Sequence, residues 1–212
     1  MQQTAQRLLI ALFLTAVCIS TAAAQSFTTI KFGTLNPKDA KAGLIVGIST
    51  GRQVDERVDF GLGVDLFLRR FTEETAVESD GSGETDPSTF QTNIAYSVYA
   101  LPILIQVNVH LLPGNVIKPY IGLAGGYEIV FSREANYLTS SKDNRLYGGF
   151  GWQLMLGGEY SLGSASGILG EIFYNGCTVK RNKGSTEFGF PLHEKLNFSG
   201  IGFRIGLRFG GI

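Results

Sequence analysis

The sequence predicts an all-β fold, namely an eight-stranded antiparallel up-and-down β-barrel that spans a membrane. Three observations support this prediction. Apolar and polar residues alternate with a period of two along segment after segment, which is typical of strands. There are eight such segments, and a single-chain up-and-down barrel requires an even number. Short and long connections alternate between the segments, as they do in membrane barrels.

Residues 1–24 are expected to be a secretory signal peptide cleaved after Ala24, so that residues 25–212 form one outer-membrane barrel domain. Arg7 supplies a positive charge, residues 8–17 form an apolar core, and three alanines precede the cleavage site. A transmembrane anchor is the alternative interpretation. The apolar run is shorter than the roughly 20 residues that span a bilayer, which favours the signal peptide.

The composition limits the classes of function. The 212 residues suit a single domain, and 18 basic residues balance 18 acidic ones, so no nucleic-acid partner is expected. Of the two cysteines, Cys18 lies in the predicted signal peptide and follows Val17, which is too bulky for the usual lipoprotein site. Cleavage leaves Cys177 alone, so no intrachain disulfide can form.

The predicted strands follow one another along the whole mature chain. Most have about the 9–11 residues that a tilted strand needs to cross a bilayer. In chain order they cover roughly 26–34, 41–51, 58–69, 91–111, 118–131, 146–161, 166–176 and 199–209.

Four of these strands show the alternation most clearly. The third strand carries Val58, Phe60, Leu62, Val64, Leu66 and Leu68 on one face. The apolar faces of the fourth and fifth carry Ile103, Ile105, Val107, Val109 and Leu111, then Ile121, Leu123, Tyr127 and Ile129. The last strand places Ile201, Phe203, Ile205, Leu207 and Phe209 opposite glycines and two arginines.

The connections alternate in length along the chain. Residues 51–57, 112–119 and 161–167 are short polar turns, whereas residues 72–90, 132–145 and 177–197 are long and hydrophilic. This alternation predicts periplasmic turns at one end of the barrel and extracellular loops at the other.

Glycine indicates which face of the strands meets lipid. A soluble lipocalin-like barrel would place the apolar face inside and the polar face in water. Here the polar face has glycine at about every second position, and glycine weakens an exposed strand without adding solubility. A narrow eight-stranded lumen has room for only a few large side chains, so its other positions must be small. The apolar face is therefore expected outside, against lipid.

The chain resembles the OmpA/OmpX-like family of small outer-membrane β-barrels across its mature length. The resemblance is carried by KPYIGLAGGYEI (118–129), GFGWQLMLGGEYSLG (149–163) and SGIGFRIGLRF (199–209). It implies export to the bacterial outer membrane and recognition of a terminal aromatic by the outer-membrane assembly machinery. This chain differs in ending Gly-Gly-Ile beyond Phe209.

Charged residues on the glycine-rich face form the candidate site. The alternation predicts a lumen polar network of Lys31, Asp65, Glu171 and Arg204 at mid-height, Glu128 and Arg69 nearer the outside, and Asp59, Glu159, His110 and Arg208 nearer the periplasm. Isolated charges in a narrow barrel are costly, so these residues must pair or form hydrogen bonds. They form either a salt-bridge plug or a gated ion or proton path.

An enzyme is not expected, and no catalytic residue, cofactor or metal site is assigned. Lipid-modifying barrels need a His-activated hydroxyl, but His110 lies near the periplasmic end and has no serine at strand spacing. His193 falls in a long loop, and Cys177 at the strand–loop edge has no companion His or Cys. Seven aromatic residues are instead expected to form interfacial girdles: Tyr96, Tyr99, Tyr120, Tyr127, Tyr147, Trp152 and Tyr160.

Two classes of function stay open at this point. The first is a structural or surface-interaction barrel whose loops contact envelope components, host surfaces or lipopolysaccharide, and the polar, acidic loops favour it. The second is a small conduit for ions or small hydrophobic molecules. In either case the expected partners are outer-membrane lipid, lipopolysaccharide and the assembly machinery, and the protein is expected to be a monomer.

Overall fold

The computed structural model describes residues 26–76, 90–112, 115–136, 141–163, 165–185 and 191–210. The predicted signal peptide and its cleavage site lie outside these residues. These residues form nine strands: β1 (Ser26–Pro37), β2 (Gly43–Asp55), β3 (Val58–Ala76), β4 (Phe90–His110), β5 (Ile117–Asn136), β6 (Ser141–Ser161), β7 (Ser166–Ser185), β8 (Pro191–Asn197) and β9 (Gly200–Phe209). In the described part of the chain, no helix is long and apolar enough to cross a membrane.

The strands form one closed antiparallel sheet. Each strand from β1 to β7 pairs with the next, and β9 pairs with both β7 and β1, which closes the barrel. The short strand β8 also pairs with β7 and is separated from β9 only by Phe198 and Ser199. Segments β8 and β9 are therefore two parts of one interrupted strand. The prediction of a closed eight-stranded antiparallel barrel is confirmed.

The two faces of the sheet differ as the alternation predicts. Large apolar side chains such as Leu62, Phe203 and Ile205 are half exposed on the outer surface, while their neighbours in sequence are buried in the lumen. The orientation follows from solvation, because the lipid in a membrane accepts apolar side chains and the enclosed lumen must hold the polar ones. The apolar outer surface is thus continuous around the barrel.

The strands are longer than the hydrophilic segments of the sequence predict. Parts of the segments expected to be long loops are strands. In these segments β3 continues to Ala76, β5 continues to Asn136, β6 begins at Ser141, β7 continues to Ser185, and the whole of β8 is formed. The predicted turn at residues 51–57 shrinks to residues 56–57, since β2 continues to Asp55. Polar residues do not end a strand here, because backbone pairing can continue into water beyond the apolar band.

Two ends of the barrel can now be named by their connections. The turn end holds residues 56–57 and the described parts of the connections after β4 and β6, together with the described chain termini, and the loop end holds residues 38–42 and the strand ends Ala76, Phe90, Asn136, Ser141, Ser185 and Pro191. Residues 77–89, 137–140 and 186–190 are outside the described residues.

Glycine permits the close packing of strands where the barrel closes. A Cβ atom at Gly33 of β1 would overlap the carbonyl oxygen of Phe203 on β9, and one at Gly126 would overlap that of Ile103. Backbone cannot yield as the tip of a side chain can, so any larger residue at these two positions would push neighbouring strands apart.

Candidate functional site in the barrel lumen

Four charged side chains meet at the centre of the lumen, each delivered by a different strand. Lys31 comes from β1, Asp65 from β3, Glu171 from β7 and Arg204 from β9. Glycines across the sheet leave the space that these side chains occupy. The cross-strand neighbours are Gly47 and Gly206 for Lys31, Gly47 for Asp65, Gly157 for Glu171, and Gly33 for Arg204.

The four charges form one connected, neutral network, here called the central network. Arg204 is the hub, because its guanidinium contacts Asp65 at 2.7 Å and Glu171 at 2.6 Å. The ammonium of Lys31 lies 3.2 Å from both carboxylate oxygens of Glu171. Two positive and two negative groups are all buried, so each carboxylate has at least one cation within hydrogen-bond distance.

Uncharged residues complete the hydrogen bonding of the central network. The hydroxyl of Tyr120 donates to Glu171 at 2.5 Å, and Arg204 donates to the side-chain oxygen of Gln153 at 3.2 Å. The guanidinium also lies 3.9 Å from the ring centre of Phe173. A search for charged residues in the sequence does not find these uncharged partners. Tyr120 could still have been placed in the lumen, because it lies an even number of residues from the lumen-facing Glu128 on the same strand.

A second cluster lies toward the turn end of the lumen. Asp59 accepts hydrogen bonds from Arg208 at 2.6 Å and lies 2.9 Å from Nε2 of His110. Arg208 also pairs with Glu159 at 3.4 Å and stacks over the ring of Phe27. This turn-end cluster contains the four residues that the sequence places nearest the periplasm.

The remaining two candidates stand apart from both clusters. Glu128 is fully buried on the loop-end side, where Asn175 donates to it at 3.4 Å, and no described cation contacts it. A Cβ atom at Gly151 would overlap its carboxylate, so that glycine makes its position possible. Arg69 is half-buried, and no ion pair between described side chains includes it. The sequence therefore predicts one network of ten residues, whereas the structure shows two clusters and two separate residues.

An apolar cluster fills the lumen on the loop-end side of the central network. Phe67 and Phe198 pack edge to face with ring centres 5.0 Å apart, and Phe198 reaches the lumen through the break between β8 and β9. Other members include Leu35, Ile45, Val98, Leu104, Val130, Met155, Phe173 and Val179. The sequence analysis does not predict this cluster. The alternation along β2 and β3 nevertheless places Ile45 and Phe67 on the lumen face and would have indicated it.

Several other expectations need correction. Tyr120 and Tyr147 are buried in the lumen and are not girdle residues, whereas Tyr99, Tyr127, Trp152 and Tyr160 are exposed on the outer surface and Tyr96 is partly buried. Their own strand alternation turns the first two inward. Cys177 is buried within β7, not at a strand edge, and residue 193 lies in strand β8 instead of a loop.

Little open space lies between the two clusters of charged residues. Between the central network and the turn-end cluster lies a cavity of about 10 Å³, lined by Ser49, Asn108 and Tyr120 among others. A volume of this size holds about one water molecule. The arrangement can hold charges in fixed positions and can hydrate them locally.

Comparison with known proteins agrees with this architecture. The structure of Ail, the attachment invasion locus protein of Yersinia pestis, matches with a TM-score of 0.51 and 10% identity, covering 88% of this chain and 100% of that chain. Neisserial surface protein A matches with a TM-score of 0.48 and 13% identity, covering 87% of this chain and 94% of that chain. Outer membrane protein W of E. coli matches with a TM-score of 0.45 and 14% identity, covering 90% of this chain and 100% of that chain.

At 10% identity the likeness to Ail shows the fold alone. Comparison with curated protein sequences gave no match. The family model described as "Outer membrane protein beta-barrel domain" matches residues 9–209, which is nearly the whole chain. The chain therefore belongs to the outer membrane protein beta-barrel domain family.

Proposed function

We propose that this protein is a plugged outer-membrane barrel with a structural or surface-interaction role, carried out at its loop end. The observation that carries the proposal is the central network. Arg204 joins Asp65 on one side of the lumen to Glu171 on the other and so spans the space through which an ion would pass. The apolar cluster on the loop-end side adds a dry layer, which is costly for an ion to enter.

The extended strands support a role at the loop end. Strands β3 to β7 have 19 to 21 residues, about twice the 9–11 that cross a bilayer. The extra length lies on the loop-end side of the apolar surface and continues the barrel wall beyond it. We place this end outside the cell, as in barrels whose short turns are periplasmic.

A conduit is the second candidate, and one observation favours its hydrophobic form. Much of the lumen on the loop-end side is apolar, although Glu128 and Asn175 are also buried there, and the break between β8 and β9 interrupts the wall beside it at Phe198. Phe198 itself, however, is fully buried and packed against Phe67, and the open cavity of about 670 Å³ beside the break is lined by Pro37, Tyr174 and Ile201 among others, not by these two phenylalanines. We therefore favour the plugged barrel.

A catalytic role is not part of the proposal. His110 has a carboxylate partner in Asp59, as a general base often has, but both side chains are buried and Asp59 is also paired with Arg208. A catalytic base must come within hydrogen-bond reach of its substrate, and this imidazole is only 5% exposed.

Planar-bilayer recordings test the plug directly. We expect the purified barrel to give no stepwise ion conductance at moderate voltage. The Glu171→Gly, Arg204→Gly double variant keeps the network neutral and removes its hub, so it should conduct if it folds. Heat-modifiable migration on gels verifies folding of both proteins. Reproducible channel events from the unmodified barrel would overturn the plug and favour the conduit.

A further inference from the structure

Unpartnered polar atoms surround the small cavity between the central network and the turn-end cluster. The Oγ of Ser49, the Oδ1 of Asn108 and the Nδ1 of His110 are all buried, and none of them has a hydrogen-bond partner among the described residues. All three atoms belong to residues that line this cavity. A buried polar atom without a partner costs free energy, so three of them at one place indicate a ligand that satisfies them.

Glycines keep open the space beside two of these polar side chains. Gly63 is the cross-strand neighbour of Ser49, and Gly122 is the cross-strand neighbour of Asn108. A Cβ atom at Gly122 would overlap the Oδ1 of Asn108, and one at Gly63 would lie 3.6 Å from the Cβ of Ser49. The backbone opposite both residues therefore carries no side chain that would fill the space.

The size and the charge of the cavity select its ligand. Its volume is about 10 Å³, which is close to the smallest space that holds one water molecule. An organic molecule would need far more room. The ammonium of Lys31 lies on the cavity wall and repels a metal cation, and the carboxylate of Glu159 on the same wall is already paired with Arg208. Water is the ligand that fits both properties.

The polar groups on the wall match the hydrogen-bonding capacity of one water molecule. The ammonium of Lys31 has three hydrogens, and its two described hydrogen bonds both go to Glu171, which leaves one hydrogen to donate. The Nε2 of His110 faces Asp59, which also accepts from Arg208. The hydrogen of the contact between His110 and Asp59 therefore lies on Nε2, and Nδ1 can form a separate bond.

We propose that this cavity is a binding site for one ordered water molecule, which joins the turn-end cluster to the central network. The water accepts hydrogen bonds from Lys31 and from the hydroxyl of Ser49, and it donates to Asn108 and to the Nδ1 of His110. These four bonds use both hydrogens and both lone pairs of the water. They also satisfy all three unpartnered atoms of the cavity.

The bridging water makes one hydrogen-bonded chain from two separate clusters. Among the described residues, no salt bridge joins the central network to the turn-end cluster. With the water in place, the chain runs from Asp59 through His110, the water and Lys31 to Glu171. This deepens the proposed plug and rests on it, since only a closed lumen keeps a single water molecule in place.

Water contacts in the folded barrel test the inference. Nuclear Overhauser spectra in lipid nanodiscs measure magnetisation transfer from water to the ring of Phe27 and the methyl groups of Leu169, which line the cavity. A long-lived water should give cross-peaks at both. The Ser49→Ala, Asn108→Leu variant removes two hydrogen-bond partners and should lose these cross-peaks. Ser132→Ala removes a buried, unpartnered hydroxyl outside this cavity, so this matched control should keep them.

The sign of the stability change gives a second measurement. In a dry cavity the polar atoms of Ser49 and Asn108 would be unsatisfied, and apolar replacements would stabilise the barrel. With the water bound, the same replacements expel it and leave His110 and Lys31 without their shared partner. The double variant should therefore unfold at a lower urea concentration than the unmodified barrel.

Three results would overturn the inference. They are an unmodified barrel without long-lived water cross-peaks, cross-peaks that persist in the double variant, and a double variant that is more stable than the unmodified barrel. If the double variant does not fold, Ser49→Ala alone should give weaker cross-peaks than Ser132→Ala, and equal cross-peaks would reject the site. Conductance of the same samples separates the two proposals. A dry cavity in a silent barrel rejects the water alone, whereas rapidly exchanging water in a conducting barrel rejects the plug and the ordered water together.

Discussion

Each long charged side chain at the centre of the lumen depends on a small neighbour across the sheet. Arg204 fits because β1 carries Gly33 opposite it, and Lys31 fits between Gly47 and Gly206. Burial of four charges is tolerated because the positive and negative groups are equal in number and in contact. The central residues and their glycine neighbours therefore balance the charges and leave room for the long side chains.

This balance leads to a prediction for the pair Glu171 and Arg204. Glu171→Gln leaves an excess positive charge in the lumen, and Arg204→Met leaves an excess negative one. Each change should lower the free energy of unfolding by about 3–5 kcal/mol. The double variant keeps Lys31 and Asp65 in balance, so it should be more stable than either single variant. Urea unfolding of all four proteins in lipid or detergent gives the coupling energy.

The opposite result has a clear meaning. A coupling energy near zero would show that Glu171 is stabilised by Lys31 and Tyr120 alone and that Arg204 is stabilised by Asp65. The two charges would then be independently satisfied, and the description of one connected network would be wrong.

Strand alternation was sufficient to orient the charged residues toward the lumen, and the antiparallel adjacency of the last two strands predicts the contact between Glu171 and Arg204, but the sequence does not show the other contacts. Lys31, Asp65, Glu171 and Arg204 come from four distant parts of the sequence, and their contacts depend on barrel closure and strand stagger. Glu128 illustrates the limit. Its inward direction follows from alternation, whereas its separation from the central network depends on its height in the folded barrel.

At the level of a single strand, β3 shows both faces of the barrel wall. Its outward residues from Val58 to Leu68 are apolar, and Arg70 follows them on the same face. Val64 lies midway along this run, so it is expected at the centre of the bilayer. Asp65 beside it points into the lumen and contacts Arg204.

Substitution of arginine at two positions of β3 tests this assignment of depth. Val64→Arg should destabilise the barrel by roughly 2–4 kcal/mol, since a lipid-facing arginine is most costly at the midplane. Val58→Arg, on the same face but at the turn end, should cost only about 0–1 kcal/mol. Both values follow from urea unfolding in thin bilayers. Equal stability of the two variants would contradict the proposed position of the bilayer along the strand.

The lengths of the strands were less predictable than their faces. Alternation of apolar and polar residues ends where lipid ends, because water makes no demand for apolar side chains. Backbone pairing nevertheless continues, as in the register from Arg133 with Asn144 to Asn136 with Ser141. The hydrophilic segments therefore looked like loops although parts of them are strands. The break at Phe198 and Ser199 also left no mark on the alternation of the last strand.

For the molecule as a whole, an even strand count places both described termini at the turn end. The first pairs between β1 and β9 join Thr28 to Phe209 and Thr29 to Arg208, so closure joins the two ends of the barrel domain. The apolar outer surface and the turn-end connections agree with the outer membrane as its location. Which end faces outward is a separate question, on which the proposed surface role depends.

Epitope insertion at the two ends of the barrel answers that question. A tag placed after Gly83, between β3 and β4, should bind antibody on intact cells because the loop end is expected outside. A tag after Gly163, in the connection between β6 and β7 at the turn end, is the matched control and should bind only after the outer membrane is opened. Surface connections tolerate insertions of this kind better than strands do. If the Gly163 tag were labelled on intact cells and the Gly83 tag were not, the barrel would be inverted. The loop end would then face the periplasm, which would contradict the surface role proposed for it.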